Sequence, residues 1–184
     1  LDVTDPEHIS VLWEVNDLIT GNATITDNIG YVLGKPVIVP LKGVDGSGNP
    51  VVSWKVVFGN GYNSASQTAS LFVVDAITGA TSVVRAAEDP TGNDLLGYNG
   101  MGNVVVVDMQ RRTYANDAWT SGRDGFADTA YAADQNGAVW KFNLLSSATA
   151  LDEPFYVARD ASSHRQPITG GLDVAAGPGT ASMV

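Results

Sequence analysis

Short runs of β-branched and aromatic residues, each closed by a glycine- or asparagine-bearing turn, recur along the whole chain and restrict it to sheet. Lys35–Leu41 (KPVIVPL), Val51–Phe58 (VVSWKVVF), Leu71–Asp75 (LFVVD) and Thr81–Ala86 (TSVVRA) form a first round. Gly102–Asp108 (GNVVVVD), Asp128–Ala133 (DTAYAA), Ala138–Leu144 (AVWKFNL) and Phe155–Ala158 (FYVA) form a second, and Val11–Val15 (VLWEV) stands ahead of both. In Ala138–Leu144 the alternation is explicit: Trp140, Phe142 and Leu144 fall on one side, Lys141 and Asn143 on the other. Asn136 and Gly137 supply the turn that joins this run to the one before it. No helical period of comparable length competes, so the chain is expected to be all-β.

The two rounds align loosely. Setting VVFGNG (Val56–Gly61) against AYAADQNG (Ala130–Gly137), and SLFVVD (Ser70–Asp75) against AVWKFN (Ala138–Asn143), gives an offset of about 70 residues. Repeated four-stranded antiparallel units are the material of a β-propeller, and a blade buried on both faces explains apolar runs such as Val104–Val107 that do not alternate. The expectation is a partial β-propeller of about two four-stranded blades, near 34–87 and 100–159, within one domain spanning 1–184. A further blade would start near 166–176. Pro36 and Pro40 lack a ladder donor and suit an edge or a strand end. Two blades do not close a ring. The chain therefore reads as a piece of something larger, with open faces covered by the remainder of its own propeller or by self-association.

Charge and composition remove several functions. Lysine and arginine number 10 against 20 aspartates and glutamates, a net charge of -10, and the nearest basic cluster is the pair Arg111 and Arg112. Phosphate backbones need a grouped basic face, so nucleic acid is not an expected partner. With no cysteine, disulfides, thiolate catalysis and cysteine zinc sites are excluded. No apolar run approaches the roughly 20 residues that span a bilayer. His8 and His164 are the only histidines, and neither lies beside a nucleophile, a G-x-S-x-G elbow or an H-E-x-x-H helix. Gly59–Ser64 (GNGYNS) has G-x-G without the third glycine or a following helix, and reads as a strand-end loop in which Tyr62 packs. Trp13, Trp54 and Trp140 lie within strand patterns and are expected in the core, leaving Trp119 as the tryptophan placed to meet a partner.

One stretch carries candidate chemistry. In RDGFAD (Arg123–Asp128), Asp124 and Asp128 flank Gly125, and hard carboxylate oxygens spaced around a turn glycine converge on calcium in known loops. The competing reading is an ordinary Asx-type turn at Asp124 with Asp128 as a solvated residue at the start of a strand. Asp45–Asn49 (DGSGN) offers alternate oxygens in the same way, but a flexible hairpin tip is the favoured account of these residues.

In order along the chain, LDVTDP (Leu1–Pro6) with VLWEV, GKPVIV, VVFGNGYNS, LFVVDAITG, NGMGNVVVVD and DGFADTAYAADQNGAVWKFNL resemble the propeller domain of PilY/PilC-type type IV pilus biogenesis factors. The likeness covers Leu1 to Leu144, and GNGYNS and YAADQNGAVWKFNL are its most specific parts. It implies a non-enzymatic domain acting in pilus biogenesis, adhesion and twitching motility. The implied location is the cell surface, pilus tip or outer membrane, with pilus components or a host or surface ligand as partners. It further implies a calcium loop of the form D-x-D/N-x-D-G-x-x-D, which places Asp124 at the fifth position, Phe126 at the carbonyl ligand and Asp128 at the ninth. The first and third positions fall on Thr120 and Gly122, a departure that removes two oxygen-rich side chains, to be replaced by Asn116, Asp117 or water. Two other propeller functions stand as alternatives: a quinoprotein-like dehydrogenase, to which the DAITG turn (Asp75–Gly79) is similar, and a scaffold for outer-membrane assembly.

Overall fold

The computed structural model describes residues 1–18, 21–87, 98–109, 114–115, 118–119, 123–145, 149–150, 153–176 and 182–184. A single turn of helix, α1 (Ala23–Thr26), precedes a four-stranded meander of β1 (Val37–Val44), β2 (Pro50–Gly59), β3 (Ser70–Asp75) and β4 (Thr81–Arg85). After β5 (Met101–Val107) the chain forms a small ladder of β6 (Tyr114–Ala115) with β7 (Ala118–Trp119), then returns as β8 (Thr129–Asp134) and β9 (Ala138–Asn143). Two short segments, β10 (Thr149–Ala150) and β11 (Tyr156–Val157), both pair with β9, and β12 (Ala175–Ala176) pairs with β13 (Ser182–Met183). The first sheet has the order β1-β2-β3-β4 and the second β10-β9-β8-β5, antiparallel throughout. The segments that align in sequence occupy equivalent places. β2 and β8 are the second strands of their sheets, and β3 and β9 the third.

The sheets pack face to face. Leu41, Val57, Leu71 and Val73 of the first meet Met101, Val104, Ala130, Ala132, Trp140 and Phe142 of the second in one cluster. The opposite face of the first sheet, carrying Phe58, Phe72 and Val74, is covered by Ile25, Ile29, Trp13, Val15 and Val32. β3 is thus sealed on both faces, which is why Ser70 to Val74 are buried without alternation. Phe58 and Phe72 stack at 5.2 Å between ring centroids. Full burial of side chains such as Phe72, Phe142 and Leu71 contributes about 1.5–3 kcal/mol each.

Two expectations need correction. Val11–Val15 is not a strand but a covering segment. Its Trp13 donates from Nε1 to the Ala76 carbonyl at 2.9 Å and lies on Gly79, where a Cβ would stand 2.7 Å from the indole Cγ. A side chain there would evict the ring, so the glycine of the DAITG turn makes space as well as supplying a φ of 73°. Trp54 is not core: it is 53% exposed, because pairing of β2 with β3 begins only at Lys55 and Trp54 lies past the end of β3, opposite Pro40. Pro40 itself sits in edge strand β1, where its missing N–H costs no ladder bond.

What ties the two sheets is a crossing at the ends of β2 and β5. Asn60 is fully buried, and its Oδ1 accepts from the backbone N–H of Ser70 and of Met101, both at 3.0 Å. Its Nδ2 donates to the carbonyls of Asn28 (2.8 Å) and Thr68 (2.9 Å), and Gly61 N–H donates to the Met101 carbonyl at 2.9 Å. The backbones run so close that a Cβ on Gly59 would meet the Gly102 carbonyl, and one on Gly100 the Gly61 carbonyl. GNGYNS is therefore the inter-sheet joint. Asn60→Ala would leave buried donors and acceptors on three segments unpaired, and is expected to cost about 3 kcal/mol in urea denaturation. A loss below about 1 kcal/mol would show that the joint is not what holds the sheets.

At the β3–β4 turn, Lys55 donates to Asp75 Oδ2 at 2.9 Å while the N–H groups of Ile77 and Thr78 and the Thr78 hydroxyl donate to Oδ1. Lys55 first, and then the Thr78 N–H, hold the Asp75 carboxyl far below the ordinary carboxylate range. A depressed folded-state pKa gives stability that is complete above the unfolded value near 3.9 and is lost as pH falls below it. Thermal melts of wild type and Asp75→Asn should therefore differ most at pH 7, with the gap narrowing progressively as pH falls below about 4. An undiminished gap at pH 3 would contradict this role.

Candidate functional site

The acidic loop returns to the fold between two neighbouring strands, with Asp108 immediately after β5 and Asp128 immediately before β8. Asp128 is not solvated: it is 4% exposed, and both of its carboxylate oxygens accept from the Met109 N–H at 3.0 Å while the Thr129 hydroxyl donates to Oδ1 at 2.7 Å. Its own backbone accepts from Leu144 N–H and donates to the Val107 carbonyl, locking the start of β8 between β5 and the end of β9. Asp128 thus holds the sheet together where the loop leaves it.

Asp108 does the same for the loop. Its Oδ2 accepts from the N–H groups of Asp124 (2.7 Å) and Gly125 (2.8 Å), and its Oδ1 is buried with no donor among the described residues. Gly125 takes a φ of 85°, the left-handed turn expected of it. Asp124 Oδ1 accepts from the Phe126 N–H at 3.0 Å, the Asx-type arrangement, and Ala127 N–H donates to the Pro40 carbonyl at 3.0 Å. The loop is docked on the outer edge of β1 by a true hydrogen bond.

Beside that bond lies a cation supplied by the protein. Lys42 Nζ donates to Asp124 Oδ2 at 2.5 Å and stands 4.7 Å from the centroid of the Phe126 ring, within cation–π range. Lys42 first, and the Phe126 N–H second, hold the Asp124 carboxyl below the usual carboxylate range. Calcium takes roughly 6–8 oxygens. Asp124, the Phe126 position and the orphaned Asp108 Oδ1 have the hard-oxygen chemistry such an ion takes, whereas Asp128 is committed to Met109 and Thr129. Among the described residues no three metal-ligating side chains converge. Thr120 and Gly122, like Asn116, Asp117, Arg111 and Arg112, lie outside the described residues. Trp119 is described through its backbone pairing with Tyr114 alone.

The remaining candidates resolve into turns and surface pairs. Asp45 closes the β1–β2 hairpin by accepting from Ser47 N–H, Asn49 N–H and Asn49 Nδ2, so both oxygens serve the tip. His8 pairs with Asp5 at 2.8 Å and His164 with Asp160 at 3.4 Å, both on exposed turns. Asp134 ends β8 much as Asp75 ends β3: it accepts from Ala138 N–H, from Trp140 Nε1 (2.8 Å) and from Asn99 Nδ2 (3.0 Å). Lys42, Asp108, Asn60 and Asp134 take structural roles that no motif in the sequence marks. For Asp108 and Asp134 a signal was present, since each follows an apolar strand as its last polar residue. For Lys42, an isolated lysine 82 residues from its partner, there was none.

Because Asp128 caps the fold, Asp128→Ala is expected to cost about 2 kcal/mol in a chelator-containing buffer, where calcium plays no part. Unchanged stability in chelator would mean that Asp128 is held for another purpose.

The model of the PilY1 beta-propeller domain matches residues 1–176. A type IV pilus biogenesis factor PilY1 homolog of Xylella fastidiosa is 39% identical over all of this chain, which spans 12% of that protein. The type IV pilus biogenesis factor PilY1 of Pseudomonas aeruginosa (PAO1) is 32% identical over 95% of the chain, which spans 13% of it. The crystal structure of the Pseudomonas aeruginosa PilY1 C-terminal domain superposes with a TM-score of 0.69 at 28% identity, covering 96% of this chain and 34% of that one. The chain thus spans about an eighth of the length of its curated relatives. Folded as two packed antiparallel sheets, the chain belongs to the PilY1 β-propeller domain family.

Proposed function

We propose that this chain is a non-enzymatic portion of a propeller that acts in type IV pilus biogenesis at the cell surface or pilus tip, serving adhesion and twitching motility. The observation that carries the reading is the pair of sheets packed face to face, on a chain whose relatives are named as pilus biogenesis factors. Supporting a binding role over catalysis, the two histidines sit on exposed turns, each occupied by a neighbouring aspartate.

The first sheet also presents a surface for a partner. Ile38, Val52 and Trp54 are 63%, 53% and 53% exposed on one face of the β1–β2 hairpin, an apolar patch of the sort that a neighbouring sheet covers. The remainder of the same propeller is the partner proposed for it, and pilus components or a surface ligand are engaged by the assembled domain. Calcium tunes that engagement at the loop of Asp124 and Phe126, for which the family pattern also assigns Thr120 and Gly122, with Asp128 anchoring the loop to the sheet. The weak ligand set makes this a low-affinity site.

In a bacterium whose parent gene lacks the segment encoding residues 1–184, surface pili counted by electron microscopy and twitching-zone diameter should both fall to the level of the full deletion. Wild-type pili and motility would contradict the assignment.

A further inference from the structure

We propose that Asn99 and Gly100 form a self-modifying site: the Gly100 amide nitrogen closes on the side-chain carbonyl carbon of Asn99 and expels ammonia, leaving aspartate or isoaspartate at position 99, beside the crossing of the two sheets. Such a site stands apart from the pilus reading and depends on one side chain lying against the backbone that follows it.

Three Asn-Gly pairs occur in the chain, Asn60–Gly61, Asn99–Gly100 and Asn136–Gly137, and in each the glycine nitrogen is shielded by no Cβ. The fold commits two of them elsewhere. Gly61 N–H donates to the Met101 carbonyl at 2.9 Å and Gly137 N–H to the Asp134 carbonyl at 3.1 Å, and both ends of the Asn60 amide are taken by backbone groups. Gly100 differs, because its N–H donates to Oδ1 of Asn99 itself at 2.9 Å. The carbon to be attacked is bonded to that oxygen, so the reacting atoms are already neighbours. Asp134 Oδ2 keeps them so by accepting from Asn99 Nδ2 at 3.0 Å, which turns the departing nitrogen away from Gly100. The Asn99 N–H donates to the Gln67 carbonyl at 2.9 Å and the Gly100 carbonyl accepts from the Gln135 N–H at 3.1 Å, so the peptide between them is anchored on both sides. Placement of this kind lowers the barrier to a ring closure.

The bonds balance with water as the sole co-reactant. The Gly100 N–Cγ bond forms as the Cγ–Nδ2 bond breaks, and the Gly100 amide proton, carried by solvent, leaves on Nδ2 as ammonia. Water then opens the cyclic imide. Attack at Cγ restores the main chain and leaves aspartate, whereas attack at the Asn99 backbone carbonyl leaves isoaspartate, whose main chain runs through Cβ and is longer by one bond. Both products disturb the sheet crossing. Aspartate puts a second carboxylate where Asp134 had an amide donor, and the buried Asp134 also holds Trp140 Nε1 and the Ala138 N–H. Isoaspartate displaces Gly100, which lies so close to the Gly61 carbonyl that a Cβ has no room, next to the Met101 N–H that Asn60 accepts.

The test is peptide mapping by mass spectrometry of the full-length protein carrying this chain, incubated at neutral pH either folded or in guanidinium chloride. Isoaspartate is scored by enzymatic methylation of its free carboxylate. For each Asn-Gly pair the rate of amide loss in the folded protein is divided by its rate in denaturant, which removes the effect of sequence neighbours. That ratio is expected to be at least about tenfold larger for Asn99 than for Asn60 and Asn136, well within what fixed placement of reactants supplies. Equal ratios at the three pairs would overturn the proposal. Folded protein carrying the extra acid, isolated by anion exchange, should unfold at lower guanidinium concentration than the unmodified protein. An unchanged midpoint would overturn the claimed effect on the crossing.

Discussion

Asn60 is the residue on which the arrangement depends, because one buried amide satisfies backbone groups from three separate segments at the point where the two sheets cross. Its oxygen takes the first N–H of β3 and the first N–H of β5, and its nitrogen serves the carbonyls of Asn28 and Thr68. Asn28, Ser70 and Met101 are buried, so their groups would carry a full desolvation cost if Asn60 were absent. The glycines around it follow from the same constraint. Gly59 and Gly100 are small because the Gly102 and Gly61 carbonyls at the crossing occupy the places where their side chains would be, and Gly61 because the Tyr31 carbonyl does. The packing of Val57 and Leu71 against Met101 and Phe142 is the energetic content of the interface, and the crossing fixes its register.

A second rule organises the strand ends. Asp75, Asp108 and Asp134 each terminate an apolar strand and turn a carboxylate toward backbone N–H groups of the chain that follows or returns. Asp128 works in the opposite direction, capping Met109, two residues beyond β5, from just before β8. An aspartate at these places ends the strand and orders the next segment in one step, which is why carboxylates that look like scattered acidity in the sequence prove to be structural.

The strands were legible because alternation and glycine turns are local: Trp140, Phe142 and Leu144 share a side in the sequence and are buried in the structure. The two sheets and their repeat followed from the same signal. Tertiary cover was not legible, since Trp13 in VLWEV has strand composition and yet folds over Gly79 as a lid, while Trp54 in an equally strand-like run is left exposed by the short reach of β3. In the acidic loop the turn at Gly125 was readable and the ion pair was not. Nothing local to Asp124 points to a lysine on an edge strand of the other sheet. Position in the fold, rather than residue type, divides these carboxylates: Asp128 serves the sheet and Asp124 the surface.

The two sheets form one cooperative unit joined at Asn60. Hydrogen exchange of the Ser70 and Met101 amides tests it most directly, since both donate to Asn60 from different sheets. The two amides are expected to exchange with the same protection and to respond identically to denaturant, opening together. Protection that differs by about 1.4 kcal/mol, a factor of 10 in opening, with separate denaturant dependences, would show that each sheet opens alone and would contradict it.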